Sequence, residues 1–196
     1  MLIVVRHGRT AANAAGLLQG RVDNPLDDVG RAQAEAIADV LVGCSHPLVV
    51  ASPLVRARET AAAVARRLGA PVEVDDRFVE LDYGVLDGVP TKDVDAATWA
   101  RWRTDPDFAP DGGESLAALQ DRVASGCRDL AALATERDVL VFSHVSPIKA
   151  VVAWALGVGP EITWRLHVAQ ATITRVRTGP TVALTSFNEV AHLDGI

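Results

Sequence analysis

The apolar run at residues 2–5, Leu-Ile-Val-Val, is the feature that most constrains the fold of this chain. Three of its four residues are β-branched, and an apolar run without polar alternation is typical of a strand buried on both faces of a parallel sheet. The run ends at Arg6-His7-Gly8, a cation, an imidazole and a flexible residue. Because open α/β sheets bind ligands at the carboxyl ends of their strands, these residues mark either a binding site or a strand that simply leaves for solvent.

Two further apolar runs end in the same way. Residues 47–52 end at Ser52-Pro53, with Arg56 one helical turn later, and residues 138–142 end at Ser143-His144. Parallel strands joined by right-handed crossovers present their carboxyl ends at one edge of the sheet. We therefore expect the two histidines and the two arginines to converge there. Helix N-termini and arginine side chains are well suited to binding a phosphate group.

The order of apolar strands and amphipathic segments predicts an α/β fold. We expect a three-layer sandwich, in which a mostly parallel twisted sheet carries helices on both faces. Ser52-Pro53 and Ser146-Pro147 each match the pattern of a helix N-cap followed by proline. The residues after Thr10 are rich in Ala, Gly and Asn and predict a loop folded over a site. Helices are predicted near 29–42, 54–68 and 115–135, a further strand at 71–74, and a closing hairpin from 171–177 and 182–187.

We interpret residues 1–196 as a single domain with an insertion at about 89–114. The insertion contains two tryptophans, Trp99 and Trp102, and a turn-rich run before Glu114. It is expected to form a short helix and a loop that act as a lid. Since the two tryptophans are three residues apart, one helical face can bury both, either in the core or as a platform for substrate.

Composition excludes several classes of partner. The formal net charge is −6 and the pI is near 5.3, which argues against nucleic acid or an anionic membrane as the main partner. An acidic chain still binds phosphate where its arginines are gathered in one place. Cys44 and Cys127 lie far apart without the spacing of a zinc site or a disulfide framework, and no apolar run is long enough to span a bilayer. We expect a cytoplasmic protein.

Several motifs together identify a family resemblance. Arg6-His7-Gly8-x-Thr10-x-x-Asn13, Ser52-Pro-Leu-x-Arg56-Ala-x-x-Thr60-Ala61, Gly112-Gly113-Glu114-Ser115 and Ser143-His144 occur in one order along nearly the whole chain. In this order they resemble the histidine phosphatase superfamily, in its phosphoglycerate mutase-like branch. The resemblance implies the phosphoglycerate mutase-like fold.

The resemblance also implies roles for particular residues. His7 would be the nucleophile that carries the phosphoryl group, and Glu80 would donate a proton to the leaving oxygen, a role that apolar neighbours favour because they disfavour the charged carboxylate. No metal and no cofactor would be needed. The chain departs from the family where Val145 replaces the glycine that commonly follows the second histidine. The residues implied to surround the phosphate are Arg6, Asn13, Gln19, Gly20, Arg56, His144 and Val145.

Three functions follow from this interpretation. The first is a phosphatase that hydrolyses a small phosphomonoester, and the short insertion favours it because water can reach the site. The second is a phosphoglycerate mutase, which must keep water away from its phosphoenzyme. The third is a non-catalytic module that binds a phosphorylated ligand, which the complete set of site residues disfavours. A homodimer is compatible with all three.

Overall fold

The computed structural model describes residues 1–44 and 46–196. Six strands form one mixed sheet in the order β3-β2-β4-β1-β5-β6. The first four positions are parallel, and the last two strands pair antiparallel, as predicted for a mostly parallel sheet with a closing hairpin. The strands are β1 (Leu2–Arg6), β2 (Leu48–Ala51), β3 (Val72–Val74), β4 (Val139–Ser143), β5 (Ile173–Arg177) and β6 (Ala183–Glu189).

Six α-helices accompany the sheet, together with several short 3₁₀ turns. Three of the long helices lie close to their predicted ranges, and Asp27 caps the first of these through Gly30 N–H at 2.8 Å. The helices are α1 (Ala11–Ala14), α2 (Asp28–Leu41), α3 (Val55–Leu68), α4 (Ala96–Thr104), α5 (Leu116–Leu133) and α6 (Val145–Leu156).

Side chains alternate along β1 and so divide the core between the two faces of the sheet. Ile3 and Val5 pack with residues of α2 and α3, such as Ile37. Leu2 and Val4 pack with residues of α5 and α6, such as Leu119. Because β1 is buried on both faces, it can be apolar throughout, and the predicted three-layer arrangement is confirmed.

The two predicted serine N-caps are wrong. The N-cap of α3 is Leu54, and Asp23 from a neighbouring loop accepts the Val55 N–H at 2.6 Å. The N-cap of α6 is His144, so Ser146 lies inside the helix. Ser52 is buried and within 2.7 Å of a histidine nitrogen, so a tertiary contact uses the hydroxyl that the local pattern assigns to the helix.

The predicted loop after Thr10 also contains regular structure. Residues Ala11–Ala14 form one helical turn, in which Thr10 and Asn13 make a capping box. The Thr10 side chain accepts the Asn13 N–H, and the Asn13 side chain accepts the Thr10 N–H, each at 3.1 Å. Reciprocal caps of this kind stabilise a very short helix that composition alone does not indicate.

The insertion contributes the predicted short helix, α4, and its two tryptophans differ in environment. Trp102 is 2% exposed and belongs to the core, whereas Trp99 is half-buried with its ring centroid 5.5 Å from that of Trp102. The core alternative is thus correct for Trp102. Cys44 and Cys127 are free thiols, and in the part of the chain that the structure describes no helix is long and apolar enough to cross a membrane.

Gly30 offers a test of how tightly the strand end packs on α2. A Cβ at Gly30 would lie 2.0 Å from the carbonyl oxygen of Arg9, a backbone atom that cannot move aside cheaply. We expect Gly30→Ala to lower the free energy of unfolding by roughly 2 kcal/mol or more in urea titrations. Gly43→Ala is the control, since a Cβ there meets nothing within 4 Å, and it should change stability by less than about 0.5 kcal/mol. Equal changes in the free energy of unfolding for the two variants would contradict a close contact between Gly30 and Arg9.

Candidate active site

The register of the parallel strands brings the two histidines together. Arg6 pairs with Ser143, so the residues that follow, His7 and His144, leave the sheet side by side. Their ring centroids are 5.0 Å apart, with the rings tilted by 56°. The predicted convergence at one sheet edge is confirmed.

A cavity of about 190 Å³ opens at this edge. His144 is fully buried and does not line it. Leu17, Leu18 and Tyr83 complete its wall. The other eight predicted site residues all line it: Arg6, His7, Asn13, Gln19, Gly20, Arg56, Glu80 and Val145.

His7 is held in one tautomer. Its Nδ1 lies 2.7 Å from the carbonyl oxygen of Gly8, which only accepts, so Nδ1 carries the proton and Nε2 keeps the lone pair. Its backbone is fixed from both sides, because its N–H donates to Ser143 and its carbonyl accepts from Ala171. Burial, followed by the charges of Arg6 and Arg56, holds the pKa of His7 well below its usual value. The imidazole is therefore neutral at pH 7.

Arg6 combines a fixed position with an unsatisfied donor. Its Nη1 donates to the carbonyl of Val168 at 2.8 Å, while its Nε is buried and has no hydrogen-bond partner among the described residues. Burial lowers its pKa to about 10, partly offset by the charge of Glu80, so the guanidinium is still cationic at neutral pH. A buried donor without an acceptor is costly, and Arg6 is one of the residues that line the cavity.

Arg56 is 1% exposed and connects three parts of the site. Its Nη2 and Nη1 donate to the carbonyl oxygens of Gly20 and Val22, at 2.8 and 2.7 Å. Its Nε donates to Nδ1 of His144 at 3.2 Å. These bonds use three of the five N–H groups of a guanidinium, which leaves two for a ligand.

His144 is satisfied by protein partners alone. Because Nδ1 accepts from Arg56, the ring proton is on Nε2, which donates to the Ser52 hydroxyl at 2.7 Å. Burial, then the charge of Arg56, lowers the pKa of His144 well below its usual value. His144 thus accepts a hydrogen bond from Arg56 and packs beside the ring of His7. Its contact with a phosphate group stays a prediction.

Glu80 is buried with one carboxyl oxygen occupied. The N–H groups of Leu81 and Ser146 donate to Oε1, at 2.8 and 3.2 Å, which leaves Oε2 as the oxygen available to a ligand or a proton. The segment is tied to the end of β4, because the hydroxyl of Ser143 donates to the carbonyl of Phe78. The charge of Arg6 lies close to this buried carboxyl, so its environment is not purely apolar.

The rim of the cavity is organised by Thr10. Its hydroxyl lies 2.9 Å from Oε1 of Gln19 and 3.1 Å from Oδ1 of Asn13, so both amide side chains present their NH₂ groups elsewhere. Gly20 has a φ of +48°, and a Cβ there would overlap the carboxylate of Asp87. Glycine is therefore required where the loop passes this side chain.

Three residues of the site were not predicted to belong to it. Ser52 and Thr60 lie in a motif that was recognised, and they bind His144 and the Gly8 N–H respectively. Tyr83 lines the cavity, with its hydroxyl 3.4 Å from that of Ser146, and it is the only tyrosine in the chain. No local pattern around Tyr83 indicates this position. Within residues 1–44 and 46–196, no group of three His, Cys, Asp or Glu side chains is placed to hold a metal ion.

Curated proteins are similar in sequence to most of this chain. The chain is 39% identical over 173 residues to a glucosyl-3-phosphoglycerate phosphatase of Mycolicibacterium vanbaalenii, covering 83% of this chain and 76% of the relative. It is 37% identical over 178 residues to a bifunctional protein of Mycobacterium tuberculosis, covering 88% of this chain but only about half (49%) of that relative.

A solved structure is similar over almost its full length. The mycobacterial glucosyl-3-phosphoglycerate phosphatase in complex with VO₃ superposes with a TM-score of 0.86 at 31% identity, covering 96% of this chain and 98% of that one. The family model described as histidine phosphatase superfamily (branch 1) matches residues 2–188. The chain therefore belongs to the histidine phosphatase superfamily, as its motifs and its paired histidines indicate.

Proposed function

We propose that this protein is a metal-independent phosphatase that hydrolyses a small phosphomonoester through a phosphohistidine on His7. One observation carries the proposal: a neutral His7 with its lone pair on Nε2 lines the same cavity as the guanidinium groups of Arg6 and Arg56. A nucleophile next to two cations suits attack on a dianionic phosphate, because the cations neutralise charge on the non-bridging oxygens.

The first chemical step transfers the phosphoryl group to the protein. Nε2 of His7 forms a bond to phosphorus while the bond from phosphorus to the ester oxygen breaks. A proton passes from Oε2 of Glu80 to that oxygen, and the alcohol leaves. Arg6 and Arg56 stabilise the charge on the transferring group, where positioning and electrostatics supply most of the catalysis.

The second step returns the enzyme to its starting state. Glu80, now a carboxylate, accepts a proton from a water molecule whose oxygen attacks phosphorus. The bond between phosphorus and Nε2 breaks, inorganic phosphate is released, and His7 is neutral again. Because Nδ1 keeps its hydrogen bond to Gly8 throughout, the ring is oriented for both steps.

Hydrolysis is favoured over a mutase reaction by the short insertion, because a larger insertion would keep water away from the phosphoenzyme. The insertion at 89–114 contributes one nine-residue helix, α4, and we propose that it acts as a lid on a single domain of residues 1–196. The names of the relatives point to phosphatases acting on phosphorylated glycerate derivatives. The two free thiols fit a cytoplasmic location, which we retain as part of the proposal.

Trapping the covalent intermediate tests the proposal directly. After rapid quench with labelled substrate, the label should be on the peptide that contains His7, labile to acid and stable to base. His7→Ala should remove the label and lower turnover by roughly a thousandfold or more, whereas His144→Ala should retain some label. In the unmodified protein, labelling and turnover should both continue in excess EDTA. Label on His144, or activity that requires an added divalent ion, would contradict the mechanism.

The role of Glu80 is tested by changing the leaving group. Glu80→Gln preserves an acceptor for Leu81 and Ser146 but cannot supply the proton. It should slow an alkyl phosphate by roughly 10² to 10⁴ and p-nitrophenyl phosphate far less, because a phenolate leaves with little assistance. Asp82→Asn is the matched control, since Asp82 does not line the cavity. If Asp82→Asn or Asp87→Asn shows this selectivity instead, the proton comes from another acid.

The neutral state of the two buried histidines predicts how stability depends on pH. Both pKa values are lowered on folding, so the unfolded chain binds more protons as the pH falls through 6.5, and stability is lost on the acidic side of that value. Below pH 6.5, each buried histidine lowers the free energy of unfolding by about 1.4 kcal/mol per pH unit. Urea titrations should show roughly 2 to 3 kcal/mol less stability at pH 5.5 than at pH 7.5.

His7→Asn should remove about half of that difference, because asparagine can replace the hydrogen bond to Gly8 but does not titrate. His167→Asn, at an exposed histidine, should leave the difference unchanged. A pH dependence that is the same in both variants would show that His7 is not held neutral.

A further inference from the structure

A second chamber of about 140 Å³ adjoins the cavity that contains His7. The two share Leu18, Tyr83 and Val145 in their linings, so a ligand in one is in contact with the walls of the other. The mechanism above uses nothing in the second chamber. Its position beside the phosphate cavity makes it the natural space for the group that leaves with the ester oxygen.

Three tryptophans form much of the apolar wall of this chamber: Trp99, Trp102 and Trp164. Trp99 from α4 and Trp164 are both half-buried, with ring centroids 6.2 Å apart and planes at 89°. Aromatic faces in contact with a small cavity bind carbon skeletons and exclude water. Exclusion of water strengthens any charge interaction made inside the chamber.

Lys149, on α6, lines the same chamber and provides its only lysine ammonium. It is half-buried, and in the part of the chain described no carboxylate oxygen lies within 4.0 Å of its amine. Burial lowers the pKa of Lys149, while the charge of Glu80 acts to raise it and the charge of Arg6 to lower it further. Burial of a cation without a direct partner is unfavourable, and Glu80 already accepts two hydrogen bonds on one oxygen.

We propose that this chamber binds the leaving group of the substrate and that Lys149 pairs with a carboxylate on it. The substrate class is then phosphomonoesters of small hydroxy acids. This inference rests on the proposed phosphatase function for the placement of the phosphate group. It assigns Lys149 as a residue that determines specificity.

The identity of the residue supports a role in binding. Of the 19 basic residues in the chain, only Lys92 and Lys149 are lysines. A lysine places a compact charge on a flexible stem, whereas the planar guanidinium of arginine needs more room. Lys92 is exposed on the insertion, outside both cavities, and so provides a control in which the same charge is removed elsewhere.

Binding to a variant that cannot turn over isolates the effect of Lys149. In the His7→Ala protein, calorimetry should compare 3-phosphoglycerate with glycerol 1-phosphate, which has a CH₂OH group in place of the carboxylate. We expect 3-phosphoglycerate to bind roughly tenfold or more tightly, as for one charge-assisted hydrogen bond. Adding Lys149→Met should reduce this ratio to within about twofold, whereas adding Lys92→Met should not change it.

Two results would overturn the inference. One is that the His7→Ala protein has no preference for the carboxylate. The other is that the preference survives Lys149→Met, since the arginines would then account for it. Turnover by proteins with His7 intact distinguishes carboxylate binding from an indirect effect of Lys149. Lys149→Met should raise KM for 3-phosphoglycerate but not for glycerol 1-phosphate. An equal loss of kcat on both substrates would show that Lys149 acts through Glu80. If neither probe is hydrolysed, the phosphatase proposal is wrong for them, while the binding ratio still decides the role of Lys149.

Discussion

The buried guanidinium of Arg56 is the interaction on which the rest of the site depends. A cation at 1% exposure must find acceptors in the protein, and it finds two carbonyls of the loop after Gln19 and one nitrogen of His144. The same bonds determine the tautomer of His144 and place the loop beside His7. None of these acceptors is a carboxylate, although the charges of Glu80, Asp23 and Asp87 favour the cation from farther away. Arg56 and Arg6 place two guanidinium groups at the cavity, while both imidazoles of the site stay neutral.

Much of the fold follows from short stretches of sequence. Leu2–Arg6 and Val139–Ser143 are apolar because both faces of these strands are covered, and such runs are visible without knowledge of the partners. The convergence of the residues after these strands needs only the handedness of crossovers. Arg6, His7, Arg56 and Val145 line one cavity for this reason, whereas Asn13, Gln19, Gly20 and Glu80 line it from other segments and were named from the family resemblance.

Other features depend on partners that are distant in the chain and could not be predicted from local patterns. Ser52 and Ser146 each precede a proline in the way that helix caps do. Ser52 instead forms a hydrogen bond with His144, and Ser146 lies within a helix and donates its N–H to Glu80. A tertiary hydrogen bond overrides a cap preference of about 1 kcal/mol. Likewise, the surroundings of Glu80 combine apolar and cationic groups, because residues next to it in sequence provide only part of its neighbourhood.

The position of β1 in the middle of the sheet has a consequence for how the chain reaches this structure. Val4 pairs with Val141 on one side and with Thr174 on the other, so the central strand is completed only by residues from the far part of the sequence. Such non-local contacts require closure of a long loop, whose entropy is lost before the contacts stabilise the structure, and they slow folding. Until they form, an apolar strand edge is open to pairing with other chains. Among the strands of this sheet, β1, which leads to His7, is therefore without its partners for the longest time during synthesis on the ribosome. It is the strand most exposed to aggregation.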